Sequence, residues 1–253
     1  MLKTILSGLS VGAVGLSLLL PCYAAAPVKV ATVAPIGDLV AESESKIKAL
    51  EEALATDKSY LEAKKTTIPT DAGVLAVLAQ AIVESDETAA WKPAAADLRD
   101  GAIAIATSKT YDEAKKGLEA VKSAHGGKAG GAKPDHEWNK LSGFGGLMKE
   151  VSKRNGKLRR GSKLKSLDDM QAGEFSRDAS VLAVLALAVH DDTHEVKKKA
   201  ETPEWQKFAK ELQAQSTAGA AAFKKKDLAA AADAFKKGNT ACNDCHKQFK
   251  ESE

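Results

Sequence analysis

The chain closes on "NTACNDCHKQFKESE", which holds Cys242, Cys245 and His246. Two thiols and an imidazole this close suit three chemistries: half of a zinc site, a redox dithiol, or the attachment point of a haem. Tetrahedral zinc takes four ligands, usually as two separated pairs, and the chain has no second cysteine pair. Adjacent helical residues point about 100° apart, which sets His246 at an angle to Cys245. His190 and His194, the candidate partners, fall near the far end of another helical segment. A thioredoxin-like dithiol opens a helix after a strand, whereas this pair lies deep in a helical pattern. For haem the spacing works. Thiols at i and i+3 share one helical face, so both can add to the two vinyl groups on one edge of a porphyrin. The histidine after the second cysteine is then carried to the iron. Cys-x-x-Cys-His is the attachment signature of c-type haem. The expectation is one covalent haem c on Cys242 and Cys245, with His246 as proximal iron ligand.

Haem attachment of this kind requires export, and the opening "MLKTILSGLSVGAVGLSLLLPCYAAAP" has the layout of a secretory signal. Lys3 precedes an apolar run to Leu20, and small residues follow, with cleavage expected after Ala24. A retained anchor or a lipid on Cys22 are the alternatives to cleavage. "VLAVLALAV" is too short to span a bilayer, so no stable span is expected after cleavage. The mature chain keeps two cysteines too close together for a disulfide to constrain much chain.

The elements that must position these residues read as helices. Aromatics make up 5% of the chain, and Ala, Leu, Lys and Glu, the strong helix formers, are plentiful. The pattern also repeats. "DAGVLAVLAQAIVESDE" from Asp71 matches "DASVLAVLALAVHDDTH" from Asp178, and "WKPAAADL" from Trp91 matches "WQKFAKEL" from Trp205. "IGDLVAE" from Ile36 falls on "FGGLMKE" from Phe144, and Val121 falls on Phe235. One insertion, around Thr193 to Glu201, interrupts the register. Between the copies, "HGGKAGGAKPD" reads as a flexible break. The first copy is acidic in balance and the second basic.

The expected organisation is a signal at 1–24, a haemless four-helix bundle at 25–126, a linker at 127–135 and a haem domain at 136–253. The fold class is all-α, as two tandem antiparallel four-helix bundles. In the second copy the helices are expected at about 143–160, 167–190 and 202–225, and from Asp227 to the end. Thr202 is expected as an N-cap with Pro203 at the first helical position. Trp91 and Trp205 occupy equivalent places and read as core.

A four-helix bundle with "ACNDCHKQFK" on its last helix resembles the cytochrome c′ family, the class II c-type cytochromes. The motif is His-x-x-Phe-Lys after the cysteine pair, here His246, Phe249 and Lys250. The resemblance covers about 136–253. In the first half "KAGGA" at 128–132 aligns with CNDCH, so that copy carries no covalent haem. The family usually occurs as single domains, and the tandem departs from that. Its five-coordinate members bind small gases at the open face; its six-coordinate members use a Met from the first helix and transfer electrons. Here the first helix of the haem half contains Met148, a candidate distal ligand, and the aligned residue in the other half is Val40. Met148 reads equally as a gap-filling core residue.

The resemblance therefore implies an exported or periplasmic one-electron carrier with His/Met ligation, and as alternative a five-coordinate carrier of nitric oxide or carbon monoxide. No catalytic triad, phosphate loop or acid–base pair points to an enzyme. A redox protein is the expected partner, an acidic one if the seven cations of "KRNGKLRRGSKLK" from Lys153 to Lys165 form a dock. A solvated helix end is the plainer reading of that run. Nucleic acid is not expected. A dimer, or an intramolecular pseudo-dimer of the two halves, is the assembly the repeat allows. His125 and His136 read as solvated, and Trp138 and Phe144 as either porphyrin shields or bundle packing.

Overall fold

A computed structural model describes residues 29–250; residues 1–28 and 251–253 lie outside the described residues, and with them the signal and anchor readings. Nine α-helices account for most of the described chain, with no strand among those residues. They are α1 (Ile36–Ala53), α2 (Asp57–Ala63), α3 (Thr67–Glu84), α4 (Ala95–Thr107), α5 (Tyr111–His125), α6 (Phe144–Gly161), α7 (Asp169–Asp191), α8 (Thr202–Lys224) and α9 (Leu228–Phe249). In the second half α6 packs on α7 and α9, and α8 packs on the same two, which closes a four-helix ring. α1, α3, α4 and α5 close the same ring in the first half. The all-α expectation holds, and the described helices form bundles.

Local chemistry sets the helix starts. Thr110 with Glu113 and Asp168 with Gln171 form reciprocal capping boxes, and Asp227 accepts the Ala230 N–H. Each cap satisfies donors the first turn would otherwise leave bare, worth about 1 kcal/mol. α2 is an extra short helix that the four-helix pattern did not contain; Thr56 caps it by the same reciprocal device with Ser59. Thr202 is not a cap. It is the first residue of α8, the preceding Glu201 makes no side-chain cap, and Pro203 follows in the first turn.

The repeated "VLAVLA" runs have a structural reason. Every residue from Ala72 to Ile82 of α3 is buried, as is every residue from Ala179 to Ala186 of α7. A helix that is apolar all round must be covered all round. These two helices touch each other, while α3 also meets α6 and α7 meets α1, so one core runs through both halves. α3 is long and apolar enough to cross a membrane, contrary to the expectation of no span beyond residue 24, and 67% of it is buried inside the fold.

Where α1 and α6 meet, six charged side chains interlock. Lys46 pairs with Asp71 at 2.6 Å within its own half and with Glu150 at 3.5 Å in the other. Arg154 pairs with Asp178 at 2.6 Å in its own half and with Glu42 across the interface. In the repeat alignment Glu42 matches Glu150, Lys46 matches Arg154, and Asp71 matches Asp178. Each half therefore gives the other the contact it receives, which is the reciprocity of a two-fold interface. Burial alone would raise the Glu150 pKa, yet Lys46 and Arg154 outweigh it and hold the carboxyl below its usual range. Burial likewise opposes the Arg154 charge, and Glu42, Glu150 and Asp178 overcome it. Arg154 and Lys157, counted above in the basic run, are thus engaged: Lys157 reaches Glu174 and Asp178.

The glycine-rich connection is held rather than free. Arg99, 1% exposed, donates to the carbonyls of Lys133 and Pro134 at 2.8 and 2.9 Å. Asp97 accepts the Ala132 N–H at 3.1 Å. The connection is laid along α4 as a result.

Candidate functional site

α9 carries the cysteine pair because Asp227 starts it and its apolar stripe, Ala231, Ala234, Phe235, Gly238 and Ala241, seats it on the bundle. That stripe turns Cys242 and Cys245 half inward, and both are free thiols. They line a groove of about 240 Å³ together with His246 and Met148. Met148 comes from the first turns of α6. Val151, Val189, Phe208 and Leu212 supply apolar walls, and no Asp, Glu, Lys or Arg side chain lines the space. His246 is exposed, so the groove is open along that edge.

Burial pushes the Cys242 thiol up. It pushes Cys245 further, to about 11, with Cys242 beside it adding to the effect. Neutral thiols are poor nucleophiles, and the pull of Arg159 on Cys242 does not overcome its burial. No group of three or more His, Cys, Asp or Glu side chains suited to a metal ion occurs among the described residues. His190 and His194 in fact stand at the same end of the bundle as His246, since α7 and α9 run parallel. Both are engaged through Nδ1, His190 with Asp191 at 2.6 Å and His194 with Asp192, while His190 Nε2 is buried without a partner.

The four ligand candidates thus converge on one groove. Phe249 and Lys250 do not line it. Phe249 is buried behind it, in edge contact with Trp205 at 5.2 Å and with Phe208 at 6.5 Å. Lys250 ends α9, its N–H donating to the His246 carbonyl at 3.1 Å. Trp205, 3% exposed, donates from Nε1 to the Val189 carbonyl at 2.8 Å. Trp91 is equally buried, so both tryptophans are core as expected. Trp138 donates to Glu84 at 3.0 Å and Phe144 packs on Trp205 and His194, so both serve packing away from the groove. His125 is not solvated: its ring lies 5.9 Å from Trp91 and its Nε2 is buried.

Sequence reasoning missed Asn155 and Asn239. Asn155 is 8% exposed, lines the groove, and donates weakly to Asn239 Oδ1 at 3.4 Å. Its own Oδ1 is buried without a partner. A polar residue on the inward face of α6, where the first copy has Ile47, was the available signal.

The donor set fits a haem. Two thiols one turn apart, an imidazole and a thioether line one groove free of carboxylates, lysines and arginines, and an orphaned buried acceptor sits on its wall. Among the described residues the first half offers no counterpart. α5 stops at His125, before the stretch 128–132 that aligns with CNDCH, and that stretch is the coil against α4. No protein-family model, curated protein or solved structure matches this chain.

Proposed function

We propose that the chain is an exported c-type cytochrome of the cytochrome c′ kind, with one covalent haem in its second bundle, acting in one-electron transfer. The observation that carries this is the convergence of Cys242, Cys245, His246 and Met148 on a single uncharged groove. Haem c, when bound, supplies an iron that cycles between ferric and ferrous. The chain's own residues do the rest. Cys242 and Cys245 would tether the group, and the length of α9 fixes where they stand. His246, beside Cys245, would hold the iron from the α9 side. Met148 would supply a second, thioether ligand, a set that raises a reduction potential relative to an open or bis-His site. Val151, Val189, Phe208 and Leu212 exclude water and favour the less charged state. His246 offers an exposed edge for exchange with a redox protein.

The test is the visible spectrum of the haem-loaded protein, ferric and ferrous, with and without carbon monoxide, repeated on Met148→Ala. Met148 ligation gives a low-spin protein indifferent to carbon monoxide that becomes high-spin in the variant. A high-spin wild type that takes up carbon monoxide would replace electron transfer with gas binding. Absence of covalent haem from protein exported through a haem-maturing pathway would end the reading altogether.

A further inference from the structure

We infer that the end of the second bundle remote from the Cys242–His246 groove is a docking surface for an anionic lipid bilayer. Two connections meet there, α6 to α7 and α8 to α9. They touch through Lys226, whose Nζ lies 2.7 Å from Asp169. Arg160, Lys163, Lys165, Lys224, Lys225 and Lys226 are all exposed on this tip. Three carboxylates share it. Asp168 and Asp227 accept backbone N–H groups as caps of α7 and α9, and Asp169 takes Lys226. Positive charge predominates.

Three large apolar side chains are exposed among the described residues, and two of them stand on this tip: Leu164 at 43% and Met170 at 77%. Scattered exposed apolar residues mean little. Two on adjoining loops, ringed by six cations, match an interfacial contact. Cations meet lipid phosphates while apolar side chains enter the headgroup–acyl boundary. The loops are firmly based, because Phe175 stacks on Phe223 at 5.1 Å and Phe223 meets Phe235 at 5.7 Å directly beneath.

The backbone gives an independent sign. Lys226 has φ of 57°, the one non-glycine residue in the left-handed region among those described. Glycine is the residue suited to that place after a helix. A lysine there keeps a cation at the apex despite the strain, paired with Asp169 across the two connections. The first bundle provides an internal contrast. Its equivalent connection, Ser108, Lys109 and Thr110 between α4 and α5, carries a single cation where 224–226 carries three.

A bilayer suits this tip better than a redox protein. From Leu228 to Cys242 is about 21 Å along α9 at 1.5 Å per residue. A partner seated on the tip would be held off the groove by most of the bundle's length. Docked to lipid, the chain stands end-on, with the groove turned outward.

The experiment is co-sedimentation of the full chain, purified as exported, with phosphatidylglycerol or phosphatidylcholine vesicles across a salt series. The expected result is salt-sensitive binding to phosphatidylglycerol alone. Lys224→Gln and Lys225→Gln should each weaken it about fivefold, and Met170→Ser should weaken it at every salt concentration. Lys115→Gln and Lys116→Gln in α5 should leave it unchanged. Lys226→Gly separates binding from folding: it should weaken binding while thermal stability holds or rises. Equal binding to both lipids, or binding indifferent to the tip variants, would overturn the proposal, since all variants share one N-terminus. Loss of binding to poly-glutamate in the tip variants, with no vesicle binding at all, would assign the tip to an acidic protein instead.

Discussion

At the scale of single residues, burial decides both thiols and charges. Cys245 is held up to about 11, by burial first and Cys242 second. In the haem-free chain the folded form keeps that proton where the unfolded form has lost it. Its stabilising contribution is therefore complete below the ordinary thiol range and is lost as pH rises toward 11. Iodoacetamide labelling of native haem-free protein should climb about tenfold per pH unit to near pH 11, whereas urea-unfolded protein levels off earlier. A native curve that levels near pH 8.5 would show that the thiols are not buried in this way. Arg154 makes the opposite case. Replacing it with Met leaves Glu42, Glu150 and Asp178 in a buried site with only Lys46 and Lys157 to balance them. The expected loss is about 3–5 kcal/mol, read from urea unfolding, and the further change Glu150→Gln should recover part of it. The same geometry makes the fold acid-sensitive. The Glu150 pKa is depressed, so its contribution is present at neutral pH and is lost as pH falls through that lowered value.

At the scale of elements, the sharpest difference between the copies is the length of the last helix. α9 continues to Phe249 and presents the cysteine pair, whereas α5 ends at His125 on a left-handed Gly127. Lys226, at the equivalent kind of helix end, pays for lacking glycine. Lys226→Gly should stabilise the fold by about 0.5–1 kcal/mol, seen as a raised urea midpoint with an unchanged slope; a clear loss would mean the Lys226–Asp169 pair outweighs the strain. Gly219 shows the reverse constraint. An added Cβ there would stand 2.6 Å from the Phe235 ring, so Gly219→Val should cost about 1–3 kcal/mol by overpacking. Most helices were legible from apolar spacing and from caps such as Asp227. α2 was not, because seven residues are too few to show a period. Cys242, Cys245 and His246 were legible as a local motif, and Met148 through its place in the repeat. Asn155 and the fastening of the linker by Arg99 were not, because both depend on chain segments remote in sequence.

At the scale of the whole molecule, the six-charge interface predicts what the second half does alone. Residues 136–253 expose the α6 and α7 faces that α1 and α3 normally cover. Because Glu42 and Lys46 match Glu150 and Arg154, two copies of the fragment can satisfy one another by the same exchange. Sedimentation equilibrium should find a dimer. Glu150→Lys or Arg154→Glu alone should leave monomers, and a mixture of those two should pair again. A fragment that stays monomeric at high concentration would show that complementarity of charge is not enough. In the native chain the pairing never has to find its partner. The connection laid along α4 keeps the two faces at an effective concentration in the millimolar range, whatever the dilution outside. A free dimer of the same bundles would separate as it thinned out. This one is a unimolecular event, so its unfolding midpoint should be independent of protein concentration.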